Sequence, residues 1–508
     1  MTIAVDRRID IISCFTLAAY LIANQAAAQA PLPATEFLPI IAGTPEQRST
    51  AFGAWAMDLS ADDYVEEEYL VSGLANIYDY VDAATRSPAV EVTAADRPYT
   101  TRILVRRPRT KQAFNGTVYL EVLNPTFGYD VDLIWAFTFR SIIDAGAAYV
   151  GLTSKPVAAE FLRDDWGSRL GNDPLPQRNN SRYASLNFPL IGQVWDILSQ
   201  VGALLKSDAA EDNPLASFRV QRIIMVGFSQ SAGYEKTYVN SFHNKARMPG
   251  GKPVYDGYYI SGGTFGSKRV NPPNVSRPNH PAGDPRTLLL IPLNVPVVRF
   301  QTQSEMLPFS NADTVRQTEV DDPLLRTYEL VGAPHLDLDN DEFGGPFLLR
   351  DLGIPDLHGP CESRFSPIRN GPVQSALLRA LEMWIRDGIA PPASRIIQIG
   401  RDKNGRRIVA VDANGNALGG VRHPMVEVPR GTYLAHNAPT PCFLTGAFIE
   451  FAAPTLQALY PSSAFYMKQG GRALRQAIYE RFLLPEASPT IISQALQHAT
   501  ESVDLGRP

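Results

Sequence analysis

The chain has 508 residues, 44% hydrophobic and 19% charged, a balance that excludes a disordered chain and allows one large domain with additions or several smaller ones. A formal net charge of −5, with no basic tract, excludes broad binding to nucleic acid or to anionic membrane surfaces. The 41 prolines and 37 glycines predict long and numerous loops.

Residues 1–28 read as an export signal. Arg7 and Arg8 supply positive charge, Ile11 to Ala23 form an apolar stretch, and Ala26-Ala27-Ala28 and Ala28-Gln29-Ala30 offer small-x-small cleavage sites. Asp10 interrupts the pattern, and an uncleaved anchor is the alternative, although the stretch is short for a span of about 20 residues. No later segment is apolar enough to cross a membrane, so the mature chain is expected to be secreted or periplasmic, with no membrane span. Loss of the signal removes Cys14 and leaves Cys361 and Cys442. In an oxidising compartment these two can pair as a disulfide; two separate buried thiols are the alternative. Neither has a partner at metal-ligand spacing.

Residues 31–50 are Pro-rich and read as irregular. From Asp63 to Val92, aromatic and β-branched residues alternate with polar ones, as in Glu68-Tyr69-Leu70-Val71-Ser72 and Ile77-Tyr78-Asp79-Tyr80-Val81. This predicts antiparallel strands added to one edge of a larger sheet, so 29–98 is expected as a β-rich extension of a core over 99–392. In the core, Thr101 to Val105 and Gly116 to Leu123 read as strands, with a turn from Pro108 to Asn115. Asn124-Pro125-Thr126-Phe127-Gly128 interrupts. A helix follows through Trp135 to Ala145 and stops at Gly146, and Ala147 to Leu152 is the next strand. Val194, Ile197, Leu198, Val201, Leu204 and Leu205 carry the helical period. Pro296 to Ser304 and Thr327 to Val331 read as later strands. Leu377, Leu381, Trp384 and Ile385 share one face of a helix that Gly388 ends. The alternation predicts the α/β class, with a mostly parallel central sheet covered by helices on both faces. Beyond Pro392, Lys403-Asn404-Gly405 and Ala413 to Asn416 read as hairpin turns, and residues from Thr455 onward as helical. The extension 393–508 and a Pro-rich insert, 265–292, are the candidate lids.

Between these elements, Ile223-Ile224-Met225-Val226-Gly227-Phe228-Ser229-Gln230-Ser231 ends an apolar run in Gly-x-Ser-x-Ser before a helix. That is the layout of a nucleophile elbow, in which a sharp strand-to-helix turn pushes the serine hydroxyl clear of the sheet. Small residues are needed on either side, and Ser231 reads as packing rather than as a second nucleophile. A serine hydroxyl needs a histidine base oriented by a carboxylate, and in this layout the chain order is serine, acid, histidine. His243, His280, His335, His358, His423, His436 and His498 are available. Glu305 directly follows one late strand and His335 the next, both at strand carboxyl ends on the same sheet edge as Ser229. Asp313 is the rival acid and His358 the rival base. The oxyanion hole is expected to use the Gln230 N–H and a second N–H from Asn124, Thr126 or a neighbour, since Pro125 has none. Phe228 is expected to bind substrate. Tyr183, Trp195 and Trp135 are further candidate walls, although the tryptophans suit the core better. Asp337, Asp339 and Asp341 resemble the start of a calcium loop but lack its glycine, and read as a solvated acidic loop. This chemistry calls for no metal and no organic cofactor.

At these residues the sequence resembles the large, mostly bacterial and often exported family of α/β-hydrolase-domain proteins with a Gly-x-Ser-Gln-Ser elbow. The resemblance rests on Glu66 to Gly73, Asn115 to Asn124, Gly227 to Gly233, Gln303-Ser304-Glu305 and Val331 to His335. Gly419 to Arg422, Leu459-Tyr460-Pro461 and Tyr466 carry it further. It implies the α/β-hydrolase fold over nearly the whole mature chain as one unit, and supports Ser229, Glu305 and His335 as a triad. Met306-Leu307-Pro308 stands where a second carboxylate often follows the acid. Together these features predict an exported serine hydrolase acting on a carboxylic ester, small or polymeric. Amidases, lactonases and acyltransferases share the triad. A non-catalytic binding protein on the same scaffold is the reading from another class. No oligomeric state follows from the sequence.

Overall fold

A computed structural model describes residues 28–41, 43–44, 47–82, 84–166, 180–208, 211–263, 266–272, 279–281, 284–290, 292–306, 322–354, 361–439, 442–489 and 491–493. Asp313, His358 and His498 lie outside them, as do residues 1–27 of the expected export signal and part of the insert 265–292.

The strands of the main sheet are β1 (Ala34–Leu38), β2 (Tyr64–Tyr80), β3 (Val90–Pro108), β4 (Thr117–Val122), β5 (Ala148–Leu152), β6 (Arg222–Phe228), β7 (Gly257–Ser261), β8 (Val297–Thr302) and β9 (Leu325–Leu330). They form one nine-stranded sheet in the order β9-β8-β7-β6-β4-β5-β3-β2-β1. From β5 to β9 every pairing is parallel; β5–β3, β3–β2 and β2–β1 are antiparallel. The principal helices are α1 (Leu133–Asp144), α2 (Val194–Lys206), α3 (Gln230–Ser241), α4 (Gly371–Asp387), α5 (Ala453–Leu459) and α6 (Ser463–Tyr479).

The central strands β4, β6, β7 and β8 are buried at every residue, as expected of a parallel sheet covered on both faces. Their alternating side chains divide into two cores. Val118, Leu120, Ile223, Met225, Tyr258 and Val297 pack on one face with Val194, Ile197, Leu198 and Val201 of α2. Tyr119, Ile224, Val226, Tyr259 and Val298 pack on the other with Ile134 and Trp135 of α1 and Leu377 and Leu381 of α4. The predicted fold class is the observed one.

The antiparallel edge is joined to the core by charge. Glu66 pairs with Arg106 at 2.7 Å, Glu67 with Arg107 at 2.7 Å and Glu68 with Arg102 at 2.6 Å, across the register of β2 and β3. Arg102 and Arg106 are fully buried, so each needs its carboxylate. The expected domain limit at residue 98 falls inside β3. The ladder runs through the local irregularity near Ala75 and Ile77, with Asp96 at φ 53°, where the polar sequence suggests a break. Residues 34–38, read as irregular, form the edge strand β1; the sequence hides it because the strand is short and mostly exposed.

The C-terminal extension lies along β9. Val331 N–H donates to Val421 O at 2.9 Å, and Glu329 N–H to Arg395 O at 2.9 Å. A disulfide joins Cys361 to Cys442. Closing a loop of 81 residues stabilises by about 4 kcal/mol on the chain-entropy description.

Buried histidines make the fold acid-sensitive: burial pushes His243, His280 and His423 all down to about 4, and His423 is the most deeply buried. His423 is 1% exposed; its Nδ1 accepts from Met425 N–H at 3.2 Å, and its Nε2 has no partner among the described residues. Burial pushes its imidazole down to about 4. Above the unfolded value of about 6.5 both states are neutral and His423 contributes no pH dependence. As pH falls from there towards about 4, only the unfolded chain takes up the proton, and stability is lost, by ~3 kcal/mol at the lower limit. Thermal unfolding at pH 7.5 and pH 5 should show His423→Asn, which keeps an acceptor for Met425 N–H, losing less than the wild type. An equal loss would place the acid sensitivity elsewhere.

Candidate active site

Ser229 lies between β6 and α3 with φ 58° and ψ −115°, a conformation costly for a non-glycine residue, by about 1–3 kcal/mol. The turn is held by Ser229 N–H donating to Ser261 O at 2.8 Å. Gly227 is required here. A Cβ on it would lie 2.9 Å from Glu235 Oε2 and 3.2 Å from the Ser231 backbone. Ser231 is buried, and its hydroxyl donates to Leu123 O at 3.1 Å.

Two loops bring the other polar groups to this turn. Glu305 follows β8 in a short turn of 3-10 helix. Its Oε2 accepts from Thr302 N–H and its Oε1 from Ser304 Oγ at 3.2 Å. His335 follows β9. Its Nδ1 lies 2.5 Å from Glu305 Oε1 and its Nε2 2.9 Å from Ser229 Oγ. Glu305 is 1% exposed and His335 5%, whereas Ser229 is half-buried at the floor of a cleft. Leu336 N–H donates to Leu444 O at 2.9 Å, and Asn370 Nδ2 donates to Pro334 O at 3.0 Å, so both neighbours of His335 are fixed. The acidic loop behind it is not solvated. Asp337 and Asp339 are buried and accept from the Asn370 and Gly371 N–H groups at the start of α4, and burial raises both carboxyls.

Over residues 29–493 the sequence matches the family described as "Alpha/beta hydrolase domain". The chain belongs to that family. No curated protein matches it. Among solved structures, the chain is similar to a putative dienelactone hydrolase from Klebsiella pneumoniae, at 13% identity over 51% of this chain and 85% of that one, TM-score 0.28. It is also similar to a carboxylesterase from Lactobacillus plantarum, at 15% identity over 46% and 78%, TM-score 0.29. An acetyl xylan esterase from Thermoanaerobacterium sp. matches at 10% identity over 58% and 81%, TM-score 0.28.

In this α/β-hydrolase-domain chain the cleft over Ser229 has a volume of about 290 Å³. Gln230, Thr126, Phe127 and His335 line it, with Lys268 and Asn279 from the insert and Leu444 from the C-terminal extension. Gln230 is the first residue of α3, where N–H groups and the positive helix end face the serine. Asn124 and Thr126 differ from expectation. Asn124 N–H donates to Val131 O at 3.0 Å and Thr126 N–H to Asn124 Oδ1 at 2.9 Å, because the loop closes on itself through a bridge and an Asx turn. Asn124 instead works through its side chain, whose Nδ2 donates to Phe228 O at 2.9 Å and ties the loop to the end of β6. Phe228 is also corrected. It is wholly buried, with its ring 4.7 Å from His335 and 5.2 Å from Phe137, because it points inward from the strand. Tyr183, Trp135 and Trp195 are likewise core residues.

Of the other described histidines, His243 bonds Tyr258 OH, His280 bonds Tyr80 OH, His436 stacks on Phe443 and His423 caps a short helix. Sequence reasoning missed Lys155. Its buried Nζ donates to Leu123 O and, at 2.9 Å, to Ser231 Oγ, joining β4 to the elbow; burial pushes it down to about 7. Its place just after β5, in Thr153-Ser154-Lys155-Pro156, was the available signal. Among the described residues no group of three or more His, Cys, Asp or Glu is placed to hold a metal ion.

Proposed function

We propose that the protein is an exported serine hydrolase that cleaves a carboxylic ester. The observation that carries this reading is the position of His335, hydrogen-bonded through one ring nitrogen to Ser229 and through the other to Glu305. Ser229 Oγ attacks the ester carbonyl and forms a C–O bond while His335 Nε2 takes the hydroxyl proton. The Gln230 N–H receives the charge on the carbonyl oxygen. The second donor is assigned to Phe127 N–H: Asn124, Thr126 and Gly128 donate elsewhere in that loop and Pro125 has no N–H. Collapse breaks the bond to the alcohol oxygen, which leaves with the proton from His335. Water then repeats the sequence on the acyl-serine, releasing the acid and restoring Ser229. Glu305 holds the imidazole in the tautomer that presents a bare Nε2 and stabilises it when protonated. The Cys361–Cys442 disulfide supports action outside the cytoplasm.

A fluorophosphonate probe should modify the protein stoichiometrically and abolish hydrolysis of p-nitrophenyl butyrate, with the label on the peptide that holds Ser229. Hydrolysis that continues after full labelling, or a label on another residue, would overturn the assignment.

A further inference from the structure

Lys268 is a cleft residue that the reaction at Ser229 leaves unused. It is 4% exposed, yet it lines the same cavity as Ser229, Gln230 and His335. Its stem crosses the start of α3. A Cβ on Gly233 would sit 3.1 Å from Lys268 Cε, so the glycine makes room for the side chain. The backbone is pinned as well: Lys268 N–H donates to Gly233 O at 3.2 Å, and Lys268 O accepts from Thr237 Oγ1 at 2.6 Å. At the far end, Nζ donates to Asn279 Oδ1 at 2.5 Å and faces the Tyr234 ring at 5.7 Å.

An ammonium carries three donors and is costly to bury without an opposite charge. Other cations of this protein are either paired, as Lys206 with Asp256 at 2.7 Å and the buried arginines of β3 with Glu66 and Glu68, or held by neutral oxygens, as the buried Lys155 by Leu123 O and Ser231 Oγ and the buried Lys236 by Gly263 O. Among the described residues Lys268 pairs with no carboxylate, and the charged groups that feel it are the cations Lys155 and Lys236. Burial pushes its ammonium down only to about 8, so it stays largely charged at neutral pH. The cleft therefore presents a buried, pre-positioned cation with open donors beside the serine, with the Asn279 amide N–H₂ next to it.

We propose that Lys268 and Asn279 form a carboxylate-recognition subsite, and that the preferred substrates are esters bearing a free carboxylate within reach of the scissile carbonyl. The substrate class is then the monoesters of dicarboxylic acids or the acyl esters of hydroxy acids. This rests on the serine-hydrolase reading above. A carboxylate entering the cleft restores the missing counter-charge, and a charge-assisted hydrogen bond of this kind favours the charged ester by about tenfold or more.

The test is steady-state hydrolysis of two matched pairs by the full mature chain: p-nitrophenyl hydrogen glutarate against its methyl ester, and 3-butyryloxybutyrate against its methyl ester. The first pair places the carboxylate on the acyl side, the second on the alcohol side. The expected result is a kcat/KM at least about tenfold higher for the charged member of one pair, carried mainly by KM. That ratio should collapse in Lys268→Met and persist in Lys268→Arg, with thermal unfolding followed for both. A wild-type ratio at or below one in both pairs overturns the proposal even where a variant fails to fold, and so does a preference that survives Lys268→Met. The neutral esters separate the two readings. If a folded wild type hydrolyses none of the four, the serine reading falls and this one with it. If it hydrolyses the neutral members without preferring the charged ones, only the subsite falls.

Discussion

Ser229→Ala is expected to lower turnover of p-nitrophenyl butyrate by at least about a thousand-fold, with the fold intact. The substitution removes one oxygen, the atom 2.9 Å from His335 Nε2. It leaves the Cβ and therefore the strained φ of 58° unchanged, so the melting temperature should move little. Ser229→Gly separates the two effects. It is equally inactive, but glycine adopts this conformation without penalty, so it should be the more stable of the two variants by about 1 kcal/mol. Stopped assays and thermal unfolding on the three proteins decide the matter. Retention of more than a tenth of the activity by either variant would sink the serine assignment. If glycine is no more stable than alanine, the turn carries no strain.

Most of the sheet was legible because its strands are buried on both faces and so are rich in apolar residues; Ile223 to Val226 is wholly apolar, and Val297, Val298 and Phe300 mark the next strand although Arg299 and Gln301 interrupt it. The positions of Glu305 and His335 were legible for a topological reason, since residues that directly follow neighbouring parallel strands emerge at one edge. What the sequence hid depends on how loops close. Asn124-Pro125-Thr126 favours an Asx turn by its residue types, but only the bridge from Asn124 N–H to Val131 O shows that both N–H groups expected to face the substrate are engaged within the loop. Asp337 and Asp339 look like solvated charge until α4 is seen to begin at Gly371 and offer them its N–H groups. Phe228 sits next to the serine in sequence, but the strand's period of two turns it inward. Lys268 and Asn279 lie eleven residues apart in a Pro-rich stretch without periodicity, and only the bridge between them puts both in the cleft.

Glu305→Gln is the sharper test of the site, because it changes neither size nor shape. In the wild type, Glu305 Oε2 accepts from Thr302 N–H while Oε1 accepts from His335 Nδ1–H and from Ser304 Oγ. A glutamine has one oxygen and one N–H₂ to place in those positions. Thr302 N–H is buried and can only donate, so the glutamine oxygen must face it; the reverse orientation sets two donors against each other and leaves both unsatisfied. The N–H₂ then faces His335 Nδ1, which must become the acceptor. The ring proton moves to Nε2 and points at Ser229 Oγ, so the base is in the wrong tautomer to take the serine proton. Turnover should fall on the order of 10³- to 10⁴-fold with KM little changed, since no substrate contact is lost. Stability should fall only slightly, by about 1 kcal/mol, because Thr302 N–H keeps its acceptor while the N–H₂ in place of Oε1 can no longer accept from Ser304 Oγ. Glu305→Ala, by contrast, should lose both activity and stability, as it strands Thr302 N–H. Measured kcat, KM and unfolding of the two variants separate the roles. A glutamine variant that keeps more than a tenth of wild-type kcat would show that the hydrogen bond to His335 serves the fold and not the chemistry.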